Sequence, residues 1–259
     1  MDFAYTLAGF AVGAIVGVTG VGGGSLMTPL LVLLFGIHPA AAVGTDLLYA
    51  AITKSGGTLV HATRGNVDWR ITALLAAGSL PAAILTLLLV SRFSPGGLGG
   101  ATQLISFALG IALLLTATAL IFRRRLEAFA LSHAPAVPNL RRTERCTVVT
   151  GAILGTLVSI SSVGAGALGV TALLFLYPKL STQRIVGSDL AHAVPLTLVA
   201  GLGHWWLGSV DWTLLGALLL GSLPGIFIGS HIATRISERV LRPTLAGMLL
   251  LVAGKLILQ

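Results

Sequence analysis

The sequence predicts an all-α integral membrane protein built from two inverted-topology repeats. Each repeat is expected to hold a re-entrant or short broken helix pair plus three transmembrane helices. Three observations carry that expectation: a surface too poor in charge for water, apolar runs of two distinct lengths, and an internal duplication. Hydrophobic residues make up 55% of the 259 and charged residues only 9%, against roughly a quarter charged in soluble domains. So few charges cannot cover a water-facing surface, so most of the chain faces lipid or other helices. The 33 glycines suit close helix approach and interrupted helices in a bilayer.

The apolar runs fall near 3–18, 25–36, 40–62, 68–90, 99–122, 146–160, 167–177, 183–206, 212–234 and 241–258. Six are long enough to span about 30 Å of hydrocarbon. The runs 3–18, 25–36, 146–160 and 167–177 are too short for that at 1.5 Å per residue. They come in two pairs, each joined by small residues: Thr19-Gly20-Val21-Gly22-Gly23-Gly24-Ser25 in the first and Ser159-Ile160-Ser161-Ser162-Val163-Gly164-Ala165-Gly166 in the second. The start Met1-Asp2-Phe3 lacks the basic stretch of a cleaved signal.

The halves repeat each other. Val43-Gly44-Thr45-Asp46-Leu47 matches Val186-Gly187-Ser188-Asp189-Leu190, His61 matches His204, and Gly65-Asn66-Val67-Asp68-Trp69 matches Gly208-Ser209-Val210-Asp211-Trp212. Gly78-Ser79-Leu80-Pro81 matches Gly221-Ser222-Leu223-Pro224, all at one offset of 143 residues. The Gly-rich turns align at an offset one residue smaller. The expected division is a first repeat over 1–122, a basic connector over 123–145 and a second repeat over 146–259.

Basic residues set the orientation. If each short pair crosses twice or turns back, the loops on one side carry 13 of the Lys and Arg residues and the other side carries only Arg92 and Lys255. If each pair is one broken crossing, the split is nine against six. The positive-inside bias favours the first arrangement, with the connector cytoplasmic and both termini outside. The net charge of +8 is therefore a topology signal rather than a nucleic-acid footprint. Cys146 is the only cysteine, so no intramolecular disulfide or Cys-rich metal site is expected.

Inverted repeats with interrupted helices are a recurring plan of secondary transporters. Unwound backbone at membrane depth is tolerated where it lines a cavity or binds something. The helix after each turn starts with free N–H groups and a positive dipole end, which together favour an anion. The expected binding groups are Thr19, Gly22, Gly23, Gly24 and Ser25 in the first turn and Ser161, Ser162, Gly164, Ala165 and Gly166 in the second. Lys54 joins them, because an ionisable side chain at mid-span is costly and usually functional. Tight small-residue packing is the competing role for the turns, and an ion pair with Asp46 or Asp189 the competing role for Lys54.

Asp46 and Asp189 read either as coupling or gating groups or as side chains that bond helix ends. His192, which matches Tyr49, can titrate and couple protons. His61 and His204 are expected at the interface, with Trp69, Trp205, Trp206 and Trp212 as interfacial anchors. Ser79 and Ser222, just before prolines, are expected to satisfy backbone groups freed at helix kinks.

The stretch Gly17-Val18-Thr19-Gly20-Val21-Gly22-Gly23-Gly24-Ser25, with Pro29-Leu30-Leu31, Val43-Gly44-Thr45 and the duplicated Gly-Ser-Leu-Pro, resembles the sulfite exporter TauE/SafE family of membrane permeases. The likeness covers nearly the whole chain. It implies transport of sulfite, thiosulfate or an organosulfonate across the prokaryotic cytoplasmic membrane. The partners implied are a small anionic substrate and membrane lipid, with a homodimer compatible and no cofactor, metal or nucleic acid expected. Asp46 and Asp189 depart from the pattern, since two acids beside an anion path repel substrate unless protonated or paired. The alternatives are an anion channel, a proton- or cation-coupled carrier of another small organic anion, and import of a cation. An intramembrane hydrolase using Ser25 or Ser161 is disfavoured by the repeat, and the chain holds no ATP-binding loop motif.

Overall fold

The structure, a computed structural model, describes residues 3–19, 24–93, 100–132, 139–232 and 238–257. Among the described residues it is all helical. The helices are α1 (Phe3–Thr19), α2 (Gly24–Leu33), α3 (Pro39–Thr63), α4 (Trp69–Phe93) and α5 (Thr102–Ser132), then α6 (Leu140–Ser161), α7 (Ala167–Leu176), α8 (Thr182–Trp206), α9 (Trp212–Ile232) and α10 (Glu238–Ile257).

Local chemistry sets many of these boundaries. Asp68 Oδ1 accepts from the Arg70 and Ile71 amides at 3.2 and 3.3 Å, and Asp211 Oδ1 from the Leu214 amide at 2.9 Å, so the duplicated Val-Asp-Trp caps α4 and α9. Gly65 and Gly208, at φ +67° and +74°, end α3 and α8 in a backbone shape open to glycine. Asn139 and Ser181 cap α6 and α8.

The stretch 123–145 between the repeats is largely helical. α5 continues to Ser132 and α6 begins at Leu140, so Arg123–Ser132 extends one helix and Leu140–Arg145 opens the next. The stretch after Phe122 is rich in good helix formers and closes an i,i+4 ion pair, Arg123–Glu127 at 2.9 Å.

Among the described residues, four helices are long and apolar enough to cross a membrane: Trp69–Phe93, Thr102–Arg123, Thr182–Trp206 and Trp212–Gly229. The 25-residue α3 is long enough but carries Asp46 and Lys54.

Helix directions follow from the contacts. The start of α3 meets the end of α8, with Gly44 against Ser209 and His204, while Gly187 at the start of α8 meets Asn66 and His61. The two helices are therefore antiparallel. α1 lies on α9, and α4 on α6, each parallel and each through glycines. Gly9 and Gly13 meet Leu218 and Ser222, Gly221 and Gly225 meet Thr6 and Phe10, and Gly151 and Gly155 meet Leu75 and Ser79. Small residues four apart let the backbones touch, the packing that apolar helices use where no hydrophobic force separates them from lipid.

The first helix of each half thus packs on the fourth helix of the other half, so the halves are interlocked. The short helices form hairpins. The Thr147 and Tyr177 hydroxyls share a hydrogen bond of 2.8 Å across the outer ends of α6 and α7. Tyr5 and Phe35 rings meet at 4.9 Å across the outer ends of α1 and α2. In each pair the end of the second helix lies beside the first turns of the first.

Candidate functional site

The turn between α6 and α7 is the best-defined irregular backbone beside a long helix. Ser162 takes the left-handed conformation at φ +58°, and Gly164 and Gly166 sit at φ +130° and +131°, where a side chain is strained. The turn rests against the middle of α3. Ser162 faces the Asp46 carboxylate. The Lys54 ammonium donates to the Ala165 carbonyl at 3.1 Å. Asp46 and Lys54 are the eighth and sixteenth residues of the 25 in α3, so the turn spans its central third.

Lys54 is buried, and no carboxylate lies within 4.0 Å of its ammonium among the described residues. The competing expectation of a direct ion pair with Asp46 or Asp189 is therefore not met. Lys54 lies instead in the field of both carboxylates while its hydrogen bond goes to the turn.

The two aspartates occupy equivalent places but differ in their bonding. Asp46 Oδ2 accepts from Thr28 of α2 at 2.5 Å. At the equivalent of Thr28, Thr171 of α7 turns back to the Ala167 carbonyl of its own helix at 2.7 Å. Asp189 instead rests on the first turn of α7. A Cβ added to Gly169 would fall on its Oδ1, the Gly166 amide faces the carboxylate, and Oδ1 is buried with no hydrogen-bond partner. Neither acid bonds an end of its own helix; Asp68 and Asp211 cap α4 and α9.

His192 Nε2 shares a 2.8 Å hydrogen bond with Ser79 Oγ of α4. The equivalent pair across the molecule is Tyr49 and Ser222, whose side chains also face each other. Ser79 therefore does not back-bond its kinked helix as expected, because α4 runs beside α8 and brings the hydroxyl to the imidazole. His204 is likewise not interfacial. It is fully buried, with Nε2 at 2.8 Å from the Ser159 carbonyl, because Gly44 lets α3 close over it. The four tryptophans are exposed, as interfacial anchors should be.

The duplicated Gly-Thr/Ser-Asp and Val-Asp-Trp blocks meet crosswise. The Asp211 amide donates to Thr45 at 3.0 Å and the Asp68 amide to Ser188 at 2.8 Å. Arg184 adds an ion pair to Asp68 at 3.2 Å. Two clasps thus hold opposite ends of the α3–α8 pair.

Of the expected binding groups, Lys54, Ser162, Gly164, Ala165 and Gly166 are brought together with Asp46 and Asp189. Ser161 is adjacent, but its hydroxyl is committed to Leu157 O at 2.7 Å and Val163 O at 3.2 Å. Gly22 and Gly23 lie outside the described residues. Thr19 closes α1, and Gly24 and Ser25 open α2. Sequence reasoning missed Thr28, Thr171, Ser79 as a histidine partner, and Arg123. Arg123 lines a cavity of about 20 Å³ with Gly166, Thr171 and Asp189. The 143-residue offset was the available signal for the threonines, since Thr28 and Thr171 are equivalent.

Comparison with known proteins gives one family. The model described as "Sulfite exporter TauE/SafE" matches residues 5–256. The "Probable membrane transporter protein YjnA" of Bacillus subtilis is 38% identical over 257 residues, covering 99% of this chain and 100% of that protein. The "Probable membrane transporter protein YdhB" of the same organism is 28% identical, covering 93% and 97%. The "Probable membrane transporter protein MJ0441" of Methanocaldococcus jannaschii is 24% identical, covering 94% and 90%. No solved structure matches.

Proposed function

Since the chain belongs to the TauE/SafE family and is a multi-pass membrane transporter rather than an enzyme, we propose that it is a secondary carrier for a small sulfur-containing anion such as sulfite, thiosulfate or an organosulfonate. The family model's own description supports that substrate class. The observation that carries the reading is the α6–α7 turn, pinned to the middle of α3 by Lys54 and surrounded by buried Asp46, Asp189 and Ser162. Irregular backbone and ionisable groups at that depth belong to a substrate path.

The binding region is formed by Lys54 and the residues 162–166. The two halves have opposite orientations in the bilayer. The antiparallel course of α3 and α8, the crosswise α1–α9 and α4–α6 pairs and the returning hairpins support this. The basic face, with Arg64, Arg70, Arg141, Arg142 and Arg184, is cytoplasmic and both termini are outside, in keeping with the positive-inside bias. The two clasps, Asp211–Thr45 and Asp68–Ser188, are the natural places for alternating access to open one end at a time.

Purified protein in proteoliposomes, supplied with labelled sulfite, thiosulfate, sulfoacetate or chloride, tests the proposal. Saturable uptake and counterflow of a sulfur oxyanion or sulfonate are expected. Uptake without counterflow would make it a channel. Transport of no anion, with cation transport instead, would overturn the substrate class.

A further inference from the structure

The place expected to attract an anion already holds one. α7 has ten residues, and its first turn, at Gly169, carries the Asp189 carboxylate. The Gly166 amide faces that carboxylate. A helix start attracts negative charge through its free N–H groups and its dipole, and Asp189 meets that demand from within the protein. A carboxylate and a transported anion cannot share the spot, since like charges repel strongly in a poorly solvated interior.

The halves differ here in a telling way. Asp46 is fastened by Thr28, whereas Asp189 is left without a hydroxyl although Thr171 stands at the equivalent place. Its Oδ1 is buried and unpartnered, and the residue is 2% exposed. Asp189 also lines the cavity of about 20 Å³, with Arg123, Gly166 and Thr171. That space admits about one water and no oxyanion, so an anion reaches the α7 start only when the carboxylate withdraws.

We propose that the α7 N-terminus is the point at which the transported anion binds. In the anion's absence Asp189 occupies it, and Asp189 yields it by taking up a proton, so that one proton travels with each anion. The step balances simply. The Asp189 carboxylate gains one proton from the aqueous side and becomes a neutral acid that no longer competes. The anion takes its place, and both leave on the other side. The groups facing Asp189 are Lys54 and, behind it, Asp46 on α3, and Arg123 across the cavity on α5. His192 lies one turn along its own helix, while α7 offers Thr171 and α4 offers Ser79, neither of which titrates. Lys54, which donates to Ala165, and Arg123, which lines the cavity and pairs with Glu127, are the basic side chains beside the vacated position.

This inference rests on the carrier reading above, and the test separates the two. Thiosulfate and sulfoacetate serve as probes because both stay fully ionised near neutral pH, where sulfite titrates. In wild-type proteoliposomes with the membrane potential clamped at zero, because one proton with a dianion moves a net charge, an imposed gradient, acidic on the uptake side, should drive accumulation of roughly tenfold per pH unit. A trapped pH dye should record one proton per anion. Asp189→Asn should lose gradient-driven accumulation, and whatever counterflow it retains should no longer vary with pH. Asp189→Glu, which keeps a titratable group, should keep part of the accumulation.

Net anion uptake by the wild type without proton movement would overturn the inference and leave the carrier reading standing. The same holds if Asp189→Asn still concentrates anion against a pH gradient. Absence of counterflow for any anion would sink the carrier reading itself. The dye measurement on wild type decides the question even if the asparagine variant does not fold.

Discussion

A methyl group at Gly155 tests whether α4 and α6 touch through their backbones. An added Cβ would fall on the Ser79 carbonyl oxygen and lie 2.7 Å from the Ser79 Cα. Backbone cannot swing aside as a flexible side chain can, so α4 and α6 must part. Overpacking of this kind costs about 1–3 kcal/mol. Alanine also gains about 1 kcal/mol over glycine in helix propensity, which blurs a single measurement. Gly56, in α3, removes that ambiguity because nothing lies within 4 Å of a Cβ placed there. Gly56→Ala keeps the propensity gain without the collision. The difference between the two variants is therefore the collision alone, about 1–3 kcal/mol, or roughly 3–10 °C in melting temperature. Thermal unfolding in detergent, followed by circular dichroism, should place Gly155→Ala below wild type plus its propensity gain and Gly56→Ala above wild type. Equal melting of the two variants would refute the backbone contact. Because Ser79 also bonds His192 at 2.8 Å, Gly155→Ala should slow transport as well.

Three further outcomes follow from the buried polar contacts. Thr28→Val leaves Asp46 without its hydroxyl donor and should cost about 1–3 kcal/mol of stability, whereas Thr171→Val, whose hydroxyl returns to its own helix, should cost well under 1 kcal/mol; paired melting curves compare them. Lys54→Met removes the charge-assisted bond to Ala165 and should raise the half-saturation concentration for thiosulfate by roughly tenfold or more; an unchanged value would remove Lys54 from the binding region. Asp68→Ala and Asp211→Ala should each cost about 1 kcal/mol through loss of a helix cap. The half-exposed Arg184 pair adds little for Asp68, so hydrogen exchange at the starts of α4 and α9 should rise to similar extents.

Membrane class, the duplication and the family were legible in the residues alone, because each is a property read along one dimension. Charge content, run length and a constant offset need no partner to be seen. The offset also marked both aspartates. Run length did less well at the polar ends. Arg123–Ser132 looked like a connector, yet it continues α5, because helix propensity outlasts the membrane.

Only tertiary structure decided which polar groups meet. Ser79 and His192, Lys54 and Ala165, Asp68 and Ser188, and Asp211 and Thr45 join residues from opposite halves, more than a hundred positions apart. No spacing rule brings such partners together. They meet because Gly44, Gly155 and Gly187 let helix backbones come close enough for short side chains to reach across. The same closeness turned Ser79 from a kink-filling serine into a histidine partner and buried His204. It also set Asp189 on the first turn of α7 without a hydroxyl donor and fastened Asp46 to Thr28, a difference between equivalent residues that the repeat could not reveal.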